Sequence, residues 1–316
     1  MKISEVQNKK ILFSCLNWGM GHVSRSIGLI HSLIKQNNTV IIAGESDQLK
    51  IFKTYFTEIQ TIELAGYPFE FEKNKSFQQA IWKQKSKLRK FMNYEKKWVN
   101  EKVSKYAIDL VLSDHRYGFR SRKCISIFIT HQIHLPLKGI YSLFQLFHSF
   151  WMKQFNAVWI IDDTENKLAG KLSSSPNLKH FEYIGWFSRF QLNTESTISK
   201  KKDLSVLVLS GPNVHLVYLH QNFLLHANNQ NQQIVIGKPS ALALLPKEDH
   251  VSYLESSNWL ELDMVLTEAT EIFSFFGYST LMDAKFLSAD FYLIPCPGQW
   301  EQEYLSSIHP KVVNKQ

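Results

Sequence analysis

Short apolar runs recur along this chain, separated by longer stretches in which apolar residues return with helical spacing. The first run, residues 11–15, lies between lysines and a glycine-bearing turn. Ile27, Leu29, Ile30, Leu33 and Ile34 then repeat on one helix face. Comparable runs occupy 39–43, 61–64, 109–113, 126–130 and 157–161, with gaps long enough for crossover helices. Runs that are apolar throughout, without alternation, predict a parallel sheet covered on both faces.

The pattern then stops and restarts. Residues 192–203, Leu-Asn-Thr-Glu-Ser-Thr-Ile-Ser-Lys-Lys-Lys-Asp, have linker composition, and a new apolar run follows at 204–209. Further strands are expected at 233–237, 271–275 and 291–295, with no repeat of fixed period. The expected organisation is an α/β domain over 1–191, a linker over 192–203 and a second α/β domain over 204–316.

Composition narrows the partners less than the pattern narrows the fold. With 44% hydrophobic and 20% charged residues the chain belongs among globular proteins. A net charge of +8 suits nucleic acid, acidic lipid headgroups or phosphorylated substrates. No nucleic-acid reader module accompanies it, so nucleic acid is not expected as a partner. Cys15, Cys124 and Cys296 are far apart and lack ligand-like spacing, which argues against a disulfide framework or a zinc site. The polar N-terminus runs into a strand without an apolar leader, so a cytoplasmic location is expected. Lysines crowd residues 83–105 around Trp98 and Val99, and residues 140–151 are aromatic. Together they predict an amphipathic helix with a cationic, solvated outer face; peripheral contact with an anionic membrane face is the functional alternative.

Five features carry candidate chemistry. Gly277-Tyr278-Ser279-Thr280-Leu281-Met282-Asp283 reads as a strand-to-helix turn whose amides and hydroxyls can receive a diphosphate, with a carboxylate one turn later for ribose hydroxyls. A second polar turn, Pro297-Gly298-Gln299, opens a helix bearing Gln302 and Glu303. Gly19-Met20-Gly21-His22 follows the first strand; its glycines allow close backbone approach, and a neutral imidazole is a general-base candidate. Ser210-Gly211-Pro212 ends the first strand of the second half. Strand ends of this kind collect ligands in open α/β sheets. Arg189, shortly after Gly185, has a planar fork suited to phosphate. Each of the last three also reads as ordinary turn or surface chemistry.

Taken in order, Gly19-Met20-Gly21-His22, the 109–114 run with Arg116-Tyr117-Gly118, Thr130-His131-Gln132, Ser210-Gly211-Pro212 and Gly277 through Gln302 resemble GT-B glycosyltransferases related to family 28. That family includes the transferase that adds N-acetylglucosamine to the lipid-linked peptidoglycan precursor. The resemblance covers nearly the whole chain and implies two Rossmann-like domains facing across a cleft. It implies a UDP-sugar donor on the second domain and a carbohydrate or glycolipid acceptor on the first, as in cell-envelope glycan synthesis. By position, Asp283 would hold the ribose hydroxyls, with Tyr278, Ser279 and Thr280 along the nucleotide and diphosphate. Gln302 and Glu303 would meet the donor sugar, and Arg189, Ser210, Gly211 and Pro212 the nucleotide diphosphate. Gly19, Met20, Gly21 and His22 would lie beside diphosphate and acceptor, with His22 or Asp114 taking the acceptor proton in an inverting reaction. No metal or other cofactor is implied, since amides and one arginine can stabilise the leaving diphosphate.

The sequence departs from that pattern in three places. Asn213, Val214 and His215 stand where the family supplies a glutamate and an arginine. Phe276 replaces a small residue before Gly277, and Asp283 is one methylene shorter than the peptidoglycan enzyme's glutamate. The chain also stops soon after Ile308, where relatives continue into further helices, which leaves open a weakened hinge or lost activity. Two other readings stay open: a catalytically weak nucleotide-sugar or glycolipid binding protein, and a nucleotide-sugar epimerase on the same architecture.

Overall fold

A computed structural model describes residues 1–69, 77–136, 142–174, 180–193, 203–310 and 312–313; for 77–82, 193 and 312–313 it describes the backbone alone. The chain forms two compact units, Met1–Phe187 and Ser188–Gln316.

In the first unit, strands β1 (Lys10–Cys15), β2 (Thr39–Gly44), β3 (Gln60–Glu63), β4 (Leu110–Asp114), β5 (Ile125–Thr130), β6 (Ala157–Ile160) and β7 (Phe181–Tyr183) alternate with helices α1 (Gly21–Lys35), α2 (Ser46–Tyr55), α3 (Phe77–Tyr106) and α4 (Phe144–Met152). All strand pairs are parallel, in the order β3-β2-β1-β4-β5-β6-β7. The continuous apolar runs are explained by burial on both faces: Ile11, Leu12 and Phe13 are all fully buried. Leu12, Ile41 and Val111 pack against Val99 and Val103 of α3. Helix α1 buries Ile27, Leu29, Ile30 and Leu33 of the face that the spacing indicates, together with Val23, but leaves Ile34, in its last turn, exposed.

A buried ion pair fixes α3 to the loop after β4. Arg116 Nε donates to Glu95 Oε1 at 2.6 Å with neither side chain exposed, and Tyr67 Oη donates to Glu95 Oε2 at 2.8 Å. Gly118 is needed there, because an added Cβ would lie 2.4 Å from Glu95 Oε2 and 2.5 Å from the Met92 carbonyl oxygen.

The second unit holds β8 (Leu204–Val208), β9 (Gln232–Gly237), β10 (Val251–Glu255), β11 (Glu271–Phe275), β12 (Asp290–Ile294) and β13 (Val312–Val313), with helices α5 (Leu216–His226), α6 (Pro239–Leu242), α7 (Trp259–Glu268), α8 (Tyr278–Asp283) and α9 (Trp300–Ile308). The order is β10-β9-β8-β11-β12-β13, parallel except for the β12–β13 pair. Leu207, Val235 and Phe273 of the sheet pack with Leu219 and Phe223 of α5.

Two features differ from the sequence reading. Strands β10 and β13, at the two edges of this sheet, were not expected; β10 is short and leaves Ser252 and Leu254 exposed, so it lacks the apolar run of the central strands. The boundary lies ahead of the expected linker, between Phe187 and Ser188, because Ser188 and Arg189 bond to Asp283 and Asp263. Most of that linker, 194–202, lies outside the described residues.

Candidate active site

In each unit the first and fourth strands of the chain order lie side by side at the centre of the sheet. Connections leave such a pair in opposite directions, which opens a crevice at the carboxyl ends of the strands. The motifs of the sequence follow those strands: Gly19–His22 after β1, Arg116–Gly118 after β4, Ser210–Pro212 after β8 and Gly277–Asp283 after β11.

In the first unit, Gly19 takes φ +107°, a conformation that favours glycine, and turns the chain into α1 without a side-chain cap at Met20. His22 and Arg25 then share one face of the first helical turns, three residues apart. Asp114, the last residue of β4, lies beneath them with 1% of its side chain exposed. Arg25 Nε donates to Asp114 Oδ2 at 3.0 Å and its Nη2 donates to Oδ1. Arg25 also reaches the Nδ1 atoms of His131, at 3.2 Å, and of His22, at 2.7 Å. His22 Nδ1 lies 3.1 Å from Asp114 Oδ2.

Two protonation patterns compete at His22. An arginine only donates, so the Arg25 contact makes Nδ1 an acceptor and leaves the proton on Nε2. Donation from Nδ1–H to Asp114 would instead leave Nε2 as a base. Burial and the Arg25 charge push His22 below its ordinary pKa, while Asp114 opposes them. Burial alone would raise the Asp114 carboxyl, but Arg25 and His22 hold it well below the usual carboxylate range. Asp114 therefore faces the interior as a permanent anion that orients His22. Nearby, His115 adopts φ +59° and stacks edge-on to His22, with ring centroids 5.3 Å apart. Burial keeps it neutral, and among the described residues its Nε2 has no hydrogen-bond partner.

The second unit gathers the other motifs on adjacent strands. Gly277 caps α8 without a side-chain hydrogen bond, so Ser279 and Thr280 sit inside the first turn, not at the cap expected for their hydroxyls. Tyr278 is 3% exposed and its ring belongs to the packing beneath the turn. Asp283 ends α8. Its Oδ1 accepts from Ser188 Oγ at 2.5 Å, and its Oδ2 accepts from Arg189 Nη1 at 3.3 Å. Arg189 Nε also donates to Asp263 Oδ1 at 2.6 Å, and its guanidinium lies over the rings of Phe190 and Trp259. Burial pushes the Asp283 carboxyl up to about 6 against the pull of Arg189 and Ser188.

On the strand next to β11, Ser210 is exposed, with its Oγ 3.5 Å from Ser274 Oγ. Gly211 takes φ +88°, where a Cβ would also come within 3.1 Å of the Phe275 ring. Pro212 leads into α5 through the turn Asn213–His215. On the other side of β11, Gln302 accepts from the Cys296 N–H at 2.9 Å and donates to Gln299, while Glu303 accepts from the Gly298 N–H at 3.2 Å. Both side chains brace the turn before α9.

Sequence reasoning assigned no role to Arg25, His115, His131, Ser188 or Asp263. The His22-x-x-Arg25 spacing was the available signal for Arg25. Asp263 stands 74 residues from Arg189, and no local pattern announces it.

No protein-family model matches this chain, and no curated protein matches it in sequence. Solved structures match it in shape. The glycotransferase of kitacinnamycin aligns over 95% of this chain and 84% of its own, with a TM-score of 0.63 at 13% identity. UGT89C1 of Arabidopsis thaliana aligns over 95% and 82%, with a TM-score of 0.60 at 10% identity. MurG of Acinetobacter baumannii aligns over 95% and 83%, with a TM-score of 0.50 at 10% identity. The fold is GT-B. This GT-B chain also resembles a Listeria monocytogenes protein described as a UDP-N-acetylglucosamine 2-epimerase, at a TM-score of 0.59 and 11% identity. The scaffold is therefore common to transferase and epimerase descriptions, and the residues at its strand ends must carry the functional argument.

Helix α3 presents the expected cationic face, with Lys85, Lys87, Arg89 and Lys90 exposed. Helix α4 and its cap leave Leu143, Leu146, Phe147 and Phe150 more than half exposed. Among the described residues no helix is long and apolar enough to cross a membrane.

Proposed function

We propose that this chain is a glycosyltransferase that moves a sugar from a UDP-sugar to an acceptor hydroxyl with inversion and without a metal. The supporting observation is the half-buried Asp283 carboxylate, at the end of the helix after β11 of a GT-B fold and pushed up to about 6. A carboxylate kept poorly solvated gains most from two new hydroxyl donors, and the vicinal hydroxyls of a ribose supply two. On this reading Arg189 stays on Asp263 and holds Asp283 in place, and the donor sugar meets the loop braced by Gln302 and Glu303. Ser210, Gly211, Pro212, Ser279 and Thr280 line the diphosphate.

The chemical step needs a base for the acceptor hydroxyl. His22 is that base when its Nδ1–H donates to Asp114, leaving Nε2 to take the proton as the hydroxyl oxygen attacks the anomeric carbon. The glycosidic C–O bond to the diphosphate breaks, and amides and hydroxyls of the second unit stabilise the oxygen charge that develops. An acceptor carried on an anionic bilayer fits the exposed aromatic face of α4 beside Lys153. Replacing Phe147, which is 55% exposed, by Ser should abolish sedimentation with phosphatidylglycerol vesicles without lowering the melting temperature. Unchanged sedimentation would remove the membrane from the account.

Incubation with a panel of UDP-sugars, following UDP release and the sugar product, tests the reaction. Slow UDP release without acceptor, lost in His22→Ala, is expected of a transferase. Tight binding with no release would make the chain a nucleotide-sugar binding protein. An isomerised UDP-sugar formed without acceptor would make it an epimerase.

A further inference from the structure

A second cluster of cations lies in the first unit, at the opposite end of the parallel strands from His22 and Asp114. Asp114 ends β4, whereas residues 120–122 immediately precede the start of β5, which runs parallel to it. Lys96 and Asn100 of α3 face that loop across a cavity of about 250 Å³, which Arg120, Ser121 and Arg122 close from the other side. Three cations and no carboxylate line it.

The walls are rigid. Ser121 Oγ donates to Asn100 Oδ1 at 2.7 Å, the Ser121 N–H donates to Ser126 Oγ at 3.0 Å, and Ser126 Oγ returns a bond to the Ser121 carbonyl at 3.1 Å. Lys123 Nζ ties the same loop to Ser104 Oγ at 2.6 Å. Asn100, with its oxygen occupied, has its amide N–H2 to offer.

Arg120 is the informative residue. It is only 5% exposed, yet among the described residues its Nε has no hydrogen-bond partner. Among the described residues its one hydrogen bond is long, 3.4 Å from Nη1 to the Gln154 carbonyl, and its guanidinium lies over the Phe155 ring. A guanidinium whose Nε is buried without a partner is costly, and two more cations beside it add repulsion. Burial and the Arg120 and Arg122 charges lower Lys96, and burial with Arg122 lowers Arg120. An anion with several acceptor oxygens relieves both penalties at once.

We propose that this cavity binds a phosphate group, separately from the nucleotide diphosphate of the second unit. Arg120 offers a planar fork, Lys96 and Arg122 supply point and fork charges, and Asn100 supplies a neutral donor. A planar carboxylate would meet the fork alone, whereas a tetrahedral oxyanion has enough oxygens for donors on both walls. The group belongs either to a soluble phosphorylated compound or to a phospholipid headgroup.

The test is lysine acetylation footprinting of the full chain with mass spectrometry, using inorganic pyrophosphate, phosphatidylglycerol vesicles and phosphatidylcholine vesicles as probes. A soluble source gives pyrophosphate protection of Lys96 but not of exposed Lys153; a lipid source gives protection by phosphatidylglycerol vesicles and none by pyrophosphate. In either case Arg122→Gln, at an exposed position, should raise the concentration needed for protection about tenfold, the loss of one charge-assisted hydrogen bond. Arg120→Gln should abolish protection, with its melting curve checked because that side chain is buried. Protection of Lys96 by neither anionic probe, or equal protection in wild type and Arg122→Gln, overturns the proposal. Asp283→Ala must leave Lys96 protection unchanged, which keeps this site's failure distinct from failure of the nucleotide site.

Discussion

Replacing Asp283 by Asn should stabilise the protein at neutral pH while weakening its affinity for a nucleotide. The carboxyl is pushed up to about 6 from an ordinary 3.8, burial being the largest cause. At about 1.4 kcal/mol per pH unit, that difference makes the ionised group unfavourable to folding by about 3 kcal/mol at pH 7.5. Asn keeps an acceptor for Ser188 Oγ but gives up the pull of Arg189, so a net gain of about 1–3 kcal/mol is expected. The sign follows from linkage. The folded state binds this proton more tightly than the unfolded chain, so the carboxyl's favourable contribution is complete below 3.8 and lost as pH rises through about 6. Urea unfolding of wild type and Asp283→Asn at pH 4.0 and 7.5 reads it directly. The gain should appear at pH 7.5 and shrink toward zero at pH 4.0. A variant less stable than wild type at pH 7.5, or a difference independent of pH, would refute the reasoning.

Arg25→Met removes the donor at His22 Nδ1 and one of the charges that lower its pKa. Nitrogen-15 NMR should show the Nδ1–H form of His22 gaining population over the Nε2–H form and its titration moving upward; unchanged populations would mean that Arg25 does not set them. The same variant strips Asp114 of its bidentate partner and should destabilise the chain by about 3–5 kcal/mol in urea unfolding. Gly118→Ala drives a methyl into Glu95 and the Met92 carbonyl, and should lower stability by about 1–3 kcal/mol; a neutral result would show that α3 can yield there.

The fold was legible because its strands announce themselves. Ile11 to Phe13, Leu110 to Leu112 and Ile127 to Ile129 are buried on both faces and therefore read as unbroken apolar runs. Edge strands such as β10 share their residues with solvent and lose that signature. The motif loops were legible for a related reason: glycines at φ +107° and +88° must stand where the chain turns out of a central strand. Their partners were not. The placement of Arg189 against Asp263 and Asp283 joins residues 74 and 94 positions apart, and Arg25 meets Asp114 across 89 positions. Such contacts depend on strand order, which periodicity does not encode. Gln302 shows the converse: a polar residue at a suggestive position is occupied by the Cys296 N–H of its own turn.

Calorimetric titration of UDP into the full chain and into Asp283→Ala tests the central claim most directly. Wild type should bind one UDP, and Asp283→Ala should lose at least about tenfold in affinity, the loss of one charge-assisted hydrogen bond to a ribose hydroxyl. Equal UDP affinity in the two proteins, or a decisive preference of wild type for GDP, would contradict the assignment of Asp283 to a uridine nucleotide.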